Sequence, residues 1–325
     1  MVSPHPFDAL GLRIPLFQAP TGSIAGPELA AAVSQAGAMG AMALTWTDPE
    51  AARRHVRAVR AVTDNPFQVN FALAFPPHAL SAALEEGVPN VTFSWGDPAP
   101  YLAQVRAAGA RVGIQVSTPL GARRALDLGA DFLICQGREA GGHVQSTTAL
   151  EDVLPLVLAE AGHVPVVAAG GVGDGAGMAR MLDLGAGGVM LGTRFVATQE
   201  SRAHPDYKQA LCAARSAETA LTVCFDGDWP QAAHRVLRNS TLETWQAWGC
   251  PARAQRPGEG EIIGHTQSGE PIVRYDSAAP RAGMTGRILD MCLYAGTSCE
   301  AVRDIPPAFD LVQQLWTDCE QARKG

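Results

Sequence analysis

Short apolar segments alternate with Ala-rich, helix-like segments from the start of the chain to about residue 215. Continuous apolar runs of this kind are typical of parallel strands that are buried on both faces, and the intervening segments supply the helices. Several of these helical segments begin near Pro and end on Gly, as helices commonly do. The eight candidate strands are Pro15–Pro20, Ala38–Leu44, Phe67–Leu73, Val91–Trp95, Val112–Ser117, Phe132–Gln136, Val164–Gly170 and Gly188–Phe195.

Eight successive strand–helix units predict an α/β protein with a (β/α)8 TIM barrel. The alternative is a doubly wound open sheet, which needs a dinucleotide-binding fingerprint after its first strand. The segment Gln18-Ala-Pro-Thr-Gly-Ser23 does not contain G-x-G-x-x-G. The barrel is therefore the preferred prediction.

The chain has 325 residues, whereas a barrel of this kind needs about 250. The alternation breaks down after about residue 218, where turn residues and tryptophans become frequent. We therefore predict a barrel formed by residues 1–218 and by a returning helical segment, 286–325. Residues 219–285, named here the cap segment, are predicted to form a smaller and partly helical unit. Within this scheme Met284–Tyr294 is expected to be the helix that returns to the barrel.

Composition excludes several classes of partner. Apolar residues make up 47% of the chain, which indicates a globular protein, and the net charge of −7 argues against nucleic acid or an anionic membrane as the partner. No apolar run approaches the roughly 20 residues needed to span a bilayer. Seven scattered cysteines without a C-x-x-C pair, and an N-terminus unlike a signal peptide, predict a cytoplasmic protein without a structural metal site. A homodimer is one option for its assembly.

Glycines cluster where the seventh and eighth candidate strands end. The seventh strand runs into Ala168-Ala-Gly-Gly-Val-Gly173, with Asp174 placed to cap the next helix, and the eighth contains Met190-Leu-Gly-Thr-Arg194. In barrel enzymes these two strand ends often bind phosphate, and glycine amides can hold an anion without lysine. Either loop alone is explained equally well by a tight turn. Both together favour a phosphate site.

The segment Gln136-Gly-Arg-Glu-Ala-Gly-Gly-His143 follows the sixth strand. Adjacent glycines let backbone approach a ligand closely, and an unperturbed histidine titrates near neutral pH and suits proton transfer. The alternative is that His143 only hydrogen-bonds a loop. Amide side chains at other strand ends favour an organic cofactor over a metal; they belong to Gln18, Asn70, Gln115 and Gln136.

These motifs resemble the FMN-dependent nitronate monooxygenases, formerly called 2-nitropropane dioxygenases. The resemblance covers roughly residues 10–215 and weakens near the C-terminus. It departs at Val144-Gln-Ser-Thr147 and at Ala295-Gly-Thr-Ser298, and the cap segment has no counterpart that we can place. The matching pieces are Pro15-Leu-Phe-Gln-Ala-Pro20, Pro66-Phe-Gln-Val-Asn70, Gln136–His143, Ala169-Gly-Gly-Val172 and Leu191-Gly-Thr-Arg-Phe195.

The resemblance implies an FMN whose phosphate lies on Gly171, Gly192 and Thr193. It also implies that His143 faces the flavin, removes the α-proton of a nitroalkane or stabilises a bound nitronate, and that O2 is the second substrate. Carbonyl compound and nitrite would be the products. The full set of residues that we assign to the flavin is Ala19, Pro20, Asn70, Gln115, Gln136, Gly141, Gly142, Gly170, Gly171, Met190, Leu191, Gly192 and Thr193.

Two other functions stay open at this point. One is an NAD(P)H-dependent flavin reductase of the same barrel family, acting on quinones or enoyl thioesters. Similar enoyl reductases also carry a histidine after a glycine pair. The other is a barrel that binds a phosphorylated ligand without redox chemistry, which would purify colourless.

Overall fold

The computed structural model describes residues 6–227 and 229–324, so residues 1–5, 228 and 325 of the predicted domains lie outside it. Eight parallel strands form one sheet. Their order is β1 (Leu16–Gln18), β9 (Gly188–Leu191), β8 (Val166–Ala169), β6 (Phe132–Gln136), β5 (Arg111–Val116), β4 (Asn90–Ser94), β3 (Phe67–Ala72) and β2 (Gly40–Ala43). The sheet closes into a barrel where the backbone amide of Gln18 donates a hydrogen bond to the Met39 carbonyl at 2.9 Å. The predicted (β/α)8 TIM barrel is thus confirmed. A further short strand, β7 (Gly142–His143), follows β6 in the chain and lies outside this sheet.

Helices connect the strands, and polar side chains fix where several of them begin. Asp48, Thr118 and Asp174 each accept a hydrogen bond from a backbone amide of the first turn, at 2.9, 3.0 and 2.7 Å, which satisfies a donor that the helix itself leaves free. The predicted capping role of Asp174 is confirmed. The helices are α1 (Pro27–Gln35), α2 (Pro49–Arg60), α3 (Leu80–Glu85), α4 (Ala99–Ala107), α5 (Pro119–Asp127), α6 (Leu150–Ala161), α7 (Gly175–Asp183), α8 (Thr193–Val196), α9 (Pro205–Ala213), α10 (Ser240–Ala247) and α11 (Ala308–Ala322).

Aromatic side chains fill the amino-terminal end of the barrel. Phe7 packs edge-to-face on Phe17 and Phe132, with ring centroids 4.9 and 5.9 Å apart, and all three side chains are fully buried. This end of the barrel is therefore a packed core, as TIM barrels require. Open space inside the ring lies at the carboxyl ends of the strands.

Residues after α9 form two small antiparallel sheets. Strand β11 (His234–Leu237) pairs with β10 (Thr219–Thr222) on one side and with β7, from the loop after β6, on the other. The second sheet consists of β12 (Ile262–His265), β13 (Pro271–Val273) and β14 (Thr285–Gly286). Because β7 contains His143, the cap segment is bonded directly to the loop that carries the candidate catalytic residue.

A predicted helix has another structure, and a predicted strand is shorter than expected. The segment Met284–Tyr294 is not an α-helix: it contains β14 and the 3-10 turn Ile288–Asp290, because its apolar side chains pack against the β12 sheet. Within the predicted returning segment 286–325 the α-helix is α11, which starts after Pro306-Pro307 and packs against α7 and α1. The predicted strand Gly188–Phe195 ends at Leu191, since Gly192 is already the N-cap of α8.

None of the helices in residues 6–227 and 229–324 is both long enough and apolar enough to cross a membrane.

Candidate active site

A cavity of about 420 Å³ lies at the carboxyl ends of the barrel strands. This volume is within the range of roughly 300–1,000 Å³ that is typical of pockets for small molecules and cofactors. His143 lines the cavity, and so do the residues that the sequence assigns to a flavin, with the exception of Leu191, which is fully buried in β9. The residues so placed are Ala19, Pro20, Asn70, Gln115, Gln136, Gly141, Gly142, Gly170, Gly171, Met190, Gly192 and Thr193.

One end of the cavity offers unpaired backbone amides. Within residues 6–227 and 229–324, the amides of Gly171, Gly192 and Thr193 donate to no protein acceptor. The Thr193 hydroxyl accepts a hydrogen bond from the Gly296 amide at 2.9 Å, so its own proton remains available. Gly171 has a φ of +74°, and a Cβ there would lie 2.9 Å from Cβ of Glu139. Converging amides that are not used by the protein make an anion cradle.

Two amide side chains fix the loop after β6. Gln136 donates from Nε2 to the His143 carbonyl at 3.3 Å and accepts from the Gln145 amide at 2.9 Å. Gln115 donates to the side-chain oxygen of Gln145 at 2.8 Å. Gln115 and Gln136 therefore hold the histidine loop, whereas the other two predicted amide side chains bond elsewhere. Asn70 donates to Thr92, and Gln18 is fully buried and bonds the backbone of Ala19 and Ala41.

The glycine pair before His143 serves two different purposes. A Cβ on Gly141 would lie 2.4 Å from the Gly296 amide nitrogen, so this glycine lets the C-terminal segment pack against the loop. Gly142 has a φ of +74°, and a Cβ there would meet no atom within 4 Å. Gly142 is thus the member of the pair that borders open space.

His143 is held in place by its backbone pairing with His234 and by an aromatic stack. Its ring lies on that of Trp229, with centroids 4.3 Å apart and planes at 27°. Its Nε2 atom is buried and has no hydrogen-bond partner among the described residues. Burial, and secondarily the neighbouring His234, lower the pKa of His143 from its usual value to about 3. His143 is therefore neutral at neutral pH, because desolvation disfavours the imidazolium form.

His234 is a structural neighbour of His143. Its Nε2 accepts a hydrogen bond from the Phe225 amide at 3.3 Å, and its Nδ1 lies 2.9 Å from the Ala232 carbonyl. These partners fit a neutral ring with the proton on Nδ1. His234 therefore fixes the position of β7 and does not itself line the cavity.

Several aromatic residues that line the cavity mouth were not predicted from the sequence as site residues. Trp46, Phe75 and Trp95 line the cavity together with Trp229 of the cap segment, and Tyr294 lies beside His143 with ring centroids 5.6 Å apart. A signal was present, because Trp46 and Trp95 come almost directly after β2 and β4. Functional side chains of a TIM barrel are expected at such strand ends.

In the described part of the chain, the cavity wall has no side chain that is charged at neutral pH. Among the described residues that line it there is no Lys, Arg, Asp or Glu. The described part of the chain also contains no cluster of His, Cys, Asp or Glu suited to a metal ion. Free amides at one end, amide side chains along the floor and apolar walls fit the phosphate and the uncharged ring system of a flavin.

Comparison with known proteins assigns this architecture to a family. A family model described as nitronate monooxygenase matches residues 5–79 and 77–318. A nitronate monooxygenase of Pseudomonas aeruginosa is 36% identical over 266 residues, which are 67% of this chain and 76% of that protein. A (3aS,4S,5R,7aS)-5-hydroxy-7a-methyl-1-oxo-octahydro-1H-indene-4-carboxyl-CoA dehydrogenase of Rhodococcus jostii is 34% identical over 247 residues, covering 74% of this chain and 67% of that protein.

Solved structures agree over almost the whole chain. FabK from Thermotoga maritima has a TM-score of 0.84 and 28% identity, and covers 99% of this chain and 98% of its own. A nitroalkane oxidase from Streptomyces ansochromogenes has a TM-score of 0.79 and 30% identity, with 98% and 99% covered. The chain therefore belongs to the nitronate monooxygenase family and is a flavin-dependent oxidoreductase.

Proposed function

We propose that this protein oxidises alkyl nitronates with O2, using FMN, to a carbonyl compound and nitrite. The observation that carries the proposal is the unpartnered Nε2 atom of a neutral His143 on the wall of the cavity. A nitronate is a small anion whose charge is spread over two oxygen atoms, and one N–H donor can orient it. Bound FMN would supply the electron acceptor and the reaction with oxygen, while the protein supplies position and hydrogen bonds.

The residues present fit FMN as the flavin. The free amides of Gly171, Gly192 and Thr193 would hold its phosphate. Gln136 and Asn70 would hydrogen-bond its ring system, since both line the cavity floor. We further propose that residues 219–285 act as a cap, because Trp229 from this segment covers His143. A covered site excludes water from the reacting atoms.

The protonation state of His143 favours a nitronate over a neutral nitroalkane. A base whose conjugate acid has a pKa of about 3 removes a proton from carbon weakly, because proton transfer is most efficient when the pKa lies near the working pH. A neutral imidazole can still donate from Nε2 to a nitronate oxygen. His143 therefore orients a preformed anion better than it generates one.

We expect propyl-2-nitronate to be consumed with O2 uptake and nitrite release, much faster than 2-nitropropane at neutral pH. His143 stays neutral until the pH falls towards 3, so kcat/KM for the nitronate should be flat between about pH 6 and pH 8. With 2-nitropropane, turnover should rise with pH as the substrate itself ionises. Steady-state oxygen and nitrite assays measure both profiles. A sigmoidal nitronate profile with a midpoint near the usual histidine pKa would contradict this account of His143.

A second candidate is an NAD(P)H-dependent flavin reductase, favoured by the similarity to FabK and to the Rhodococcus jostii dehydrogenase. It predicts reduction of the bound flavin by NADH or NADPH in the absence of a nitronate. The cavity gives it less support, because no Lys or Arg of the described residues lines the wall to meet the phosphates of a nicotinamide or coenzyme A substrate.

A further inference from the structure

Four aromatic rings meet at the mouth of the cavity, and we name them the aromatic wall: Trp46, Phe75, Trp95 and Trp229. Trp229 is at its centre, with its ring centroid 4.7 Å from Trp95, 5.1 Å from Phe75 and 6.4 Å from Trp46. All three pairs are edge-to-face. This is a geometry in which aromatic rings attract one another.

Two features indicate that the aromatic wall is built for a ligand. Trp95 has a φ of +60°, which is rare for a bulky residue that is not glycine, and strain of this kind concentrates at functional sites. Trp46 is 58% exposed although it borders the cavity. An exposed tryptophan at the rim of a cavity is typical of a recognition surface. The fold thus holds Trp46 and Trp95 in energetically unfavourable positions at the mouth of the cavity.

The polarity of the surroundings limits what the aromatic wall can bind. The other lining residues include hydroxyl groups, such as those of Thr45, Ser94 and Ser277, and no charged side chain of the described residues lines the cavity. A carboxylate or phosphate on the substrate would find no cation at this end. An uncharged planar group would bury its faces against the rings.

We propose that Trp229, at the centre of the aromatic wall, is a specificity-determining residue that selects nitronates with an aryl substituent. The aryl ring packs among the four rings, in place of part of the stack between Trp229 and His143, and the nitronate group reaches Nε2 of His143. This inference rests on the proposed function and names its substrate class. One aromatic pair corresponds to a preference of about two- to tenfold, and contacts with several rings of the aromatic wall bring it to about tenfold or more.

The test compares kcat/KM for the nitronates of phenylnitromethane and 2-nitropropane in the FMN-loaded enzyme. We expect the wild type to prefer the aryl nitronate by about tenfold or more, Trp229→Ala to bring the ratio close to one, and Trp229→Phe to retain most of it. Trp248→Ala is the matched control, since Trp248 is 69% exposed at the end of α10, and it should behave as the wild type. An unchanged ratio in Trp229→Ala, or an equal gain for both substrates, would overturn the proposal.

A binding measurement separates this inference from the proposed function. Benzaldehyde and acetone are the carbonyl products of the two nitronates, and calorimetric titration of the FMN-loaded enzyme gives their affinities without turnover. Tighter binding of benzaldehyde that is lost in Trp229→Ala supports the aryl selection even if neither nitronate reacts, and in that case only the proposed function fails. Equal affinity of both carbonyl compounds in the wild type refutes the aryl selection, whatever the turnover.

Discussion

His143→Ala is expected to lower kcat/KM for propyl-2-nitronate by about 100- to 1,000-fold, the range found when one positioned hydrogen-bond donor is removed from an active site. The expected cause is loss of the unpartnered Nε2 on the cavity wall, which leaves the nitronate without its donor. The flavin should stay bound, because its proposed ligands are the backbone amides and Gln136 rather than this imidazole. Oxygen uptake with nitrite release measures the rate, and flavin absorbance measures the bound cofactor.

Two further variants define the role of His143. His143→Gln keeps an N–H donor but cannot take up a proton, so it should retain much more nitronate turnover than the alanine variant. Turnover of 2-nitropropane by His143→Gln should still rise with pH, because the substrate itself ionises. His163→Ala is the control, since His163 is exposed beyond the end of α6. Wild-type turnover in His143→Ala with full flavin content would show that His143 has no part in the reaction.

Gly142→Ala is expected to weaken FMN binding by about tenfold to a hundredfold. In the protein alone a Cβ at this position would meet no atom within 4 Å, so the methyl group projects into space that we assign to the cofactor. Forcing an extra methyl group into a filled site costs about 1–3 kcal/mol, which is the stated range of affinity. Titration of the apoprotein with FMN, followed by flavin fluorescence, gives the dissociation constant.

Gly87→Ala is the matched control for the backbone. Gly87 has a φ of +73°, against +74° for Gly142, and a Cβ there also meets no atom within 4 Å. It is exposed and follows α3, away from the cavity. Both variants should therefore lose similar unfolding free energy, about 1–2 kcal/mol for a left-handed alanine, while only Gly142→Ala loses FMN affinity. If the two variants bind FMN with equal affinity, the cofactor does not occupy the space beside Gly142.

The barrel could be predicted because its signals are local. Apolar runs set the strands, and capping residues such as Asp174 set the start of the helices. The glycine turns after β8 and β9 could also be placed on the cavity, because the carboxyl ends of barrel strands share one face. The structure of the segment Met284–Tyr294 could not be predicted. Its apolar residues pack within the small sheet of β12, β13 and β14 rather than along one face of a helix.

The surroundings of His143 depend on contacts between distant parts of the chain, which the sequence does not display. Its lowered pKa follows from burial under Trp229 and beside His234, and both of these come from the cap segment. Likewise Gly141 and Gly142 read as one pair in the sequence, but only packing against Gly296 separates their roles. The fold could therefore be predicted from local sequence patterns, whereas the surroundings of His143 depend on packing between distant segments.

Anaerobic mixing with propyl-2-nitronate tests the central claim most directly, because it follows the bound flavin itself. We predict that the visible absorbance of the FMN-loaded protein bleaches on addition of the nitronate and returns when O2 is admitted, with release of nitrite. NADH or NADPH added in its place should leave the spectrum unchanged over the same time. Bleaching by NADH or NADPH together with no response to the nitronate would contradict the proposed function and select the reductase.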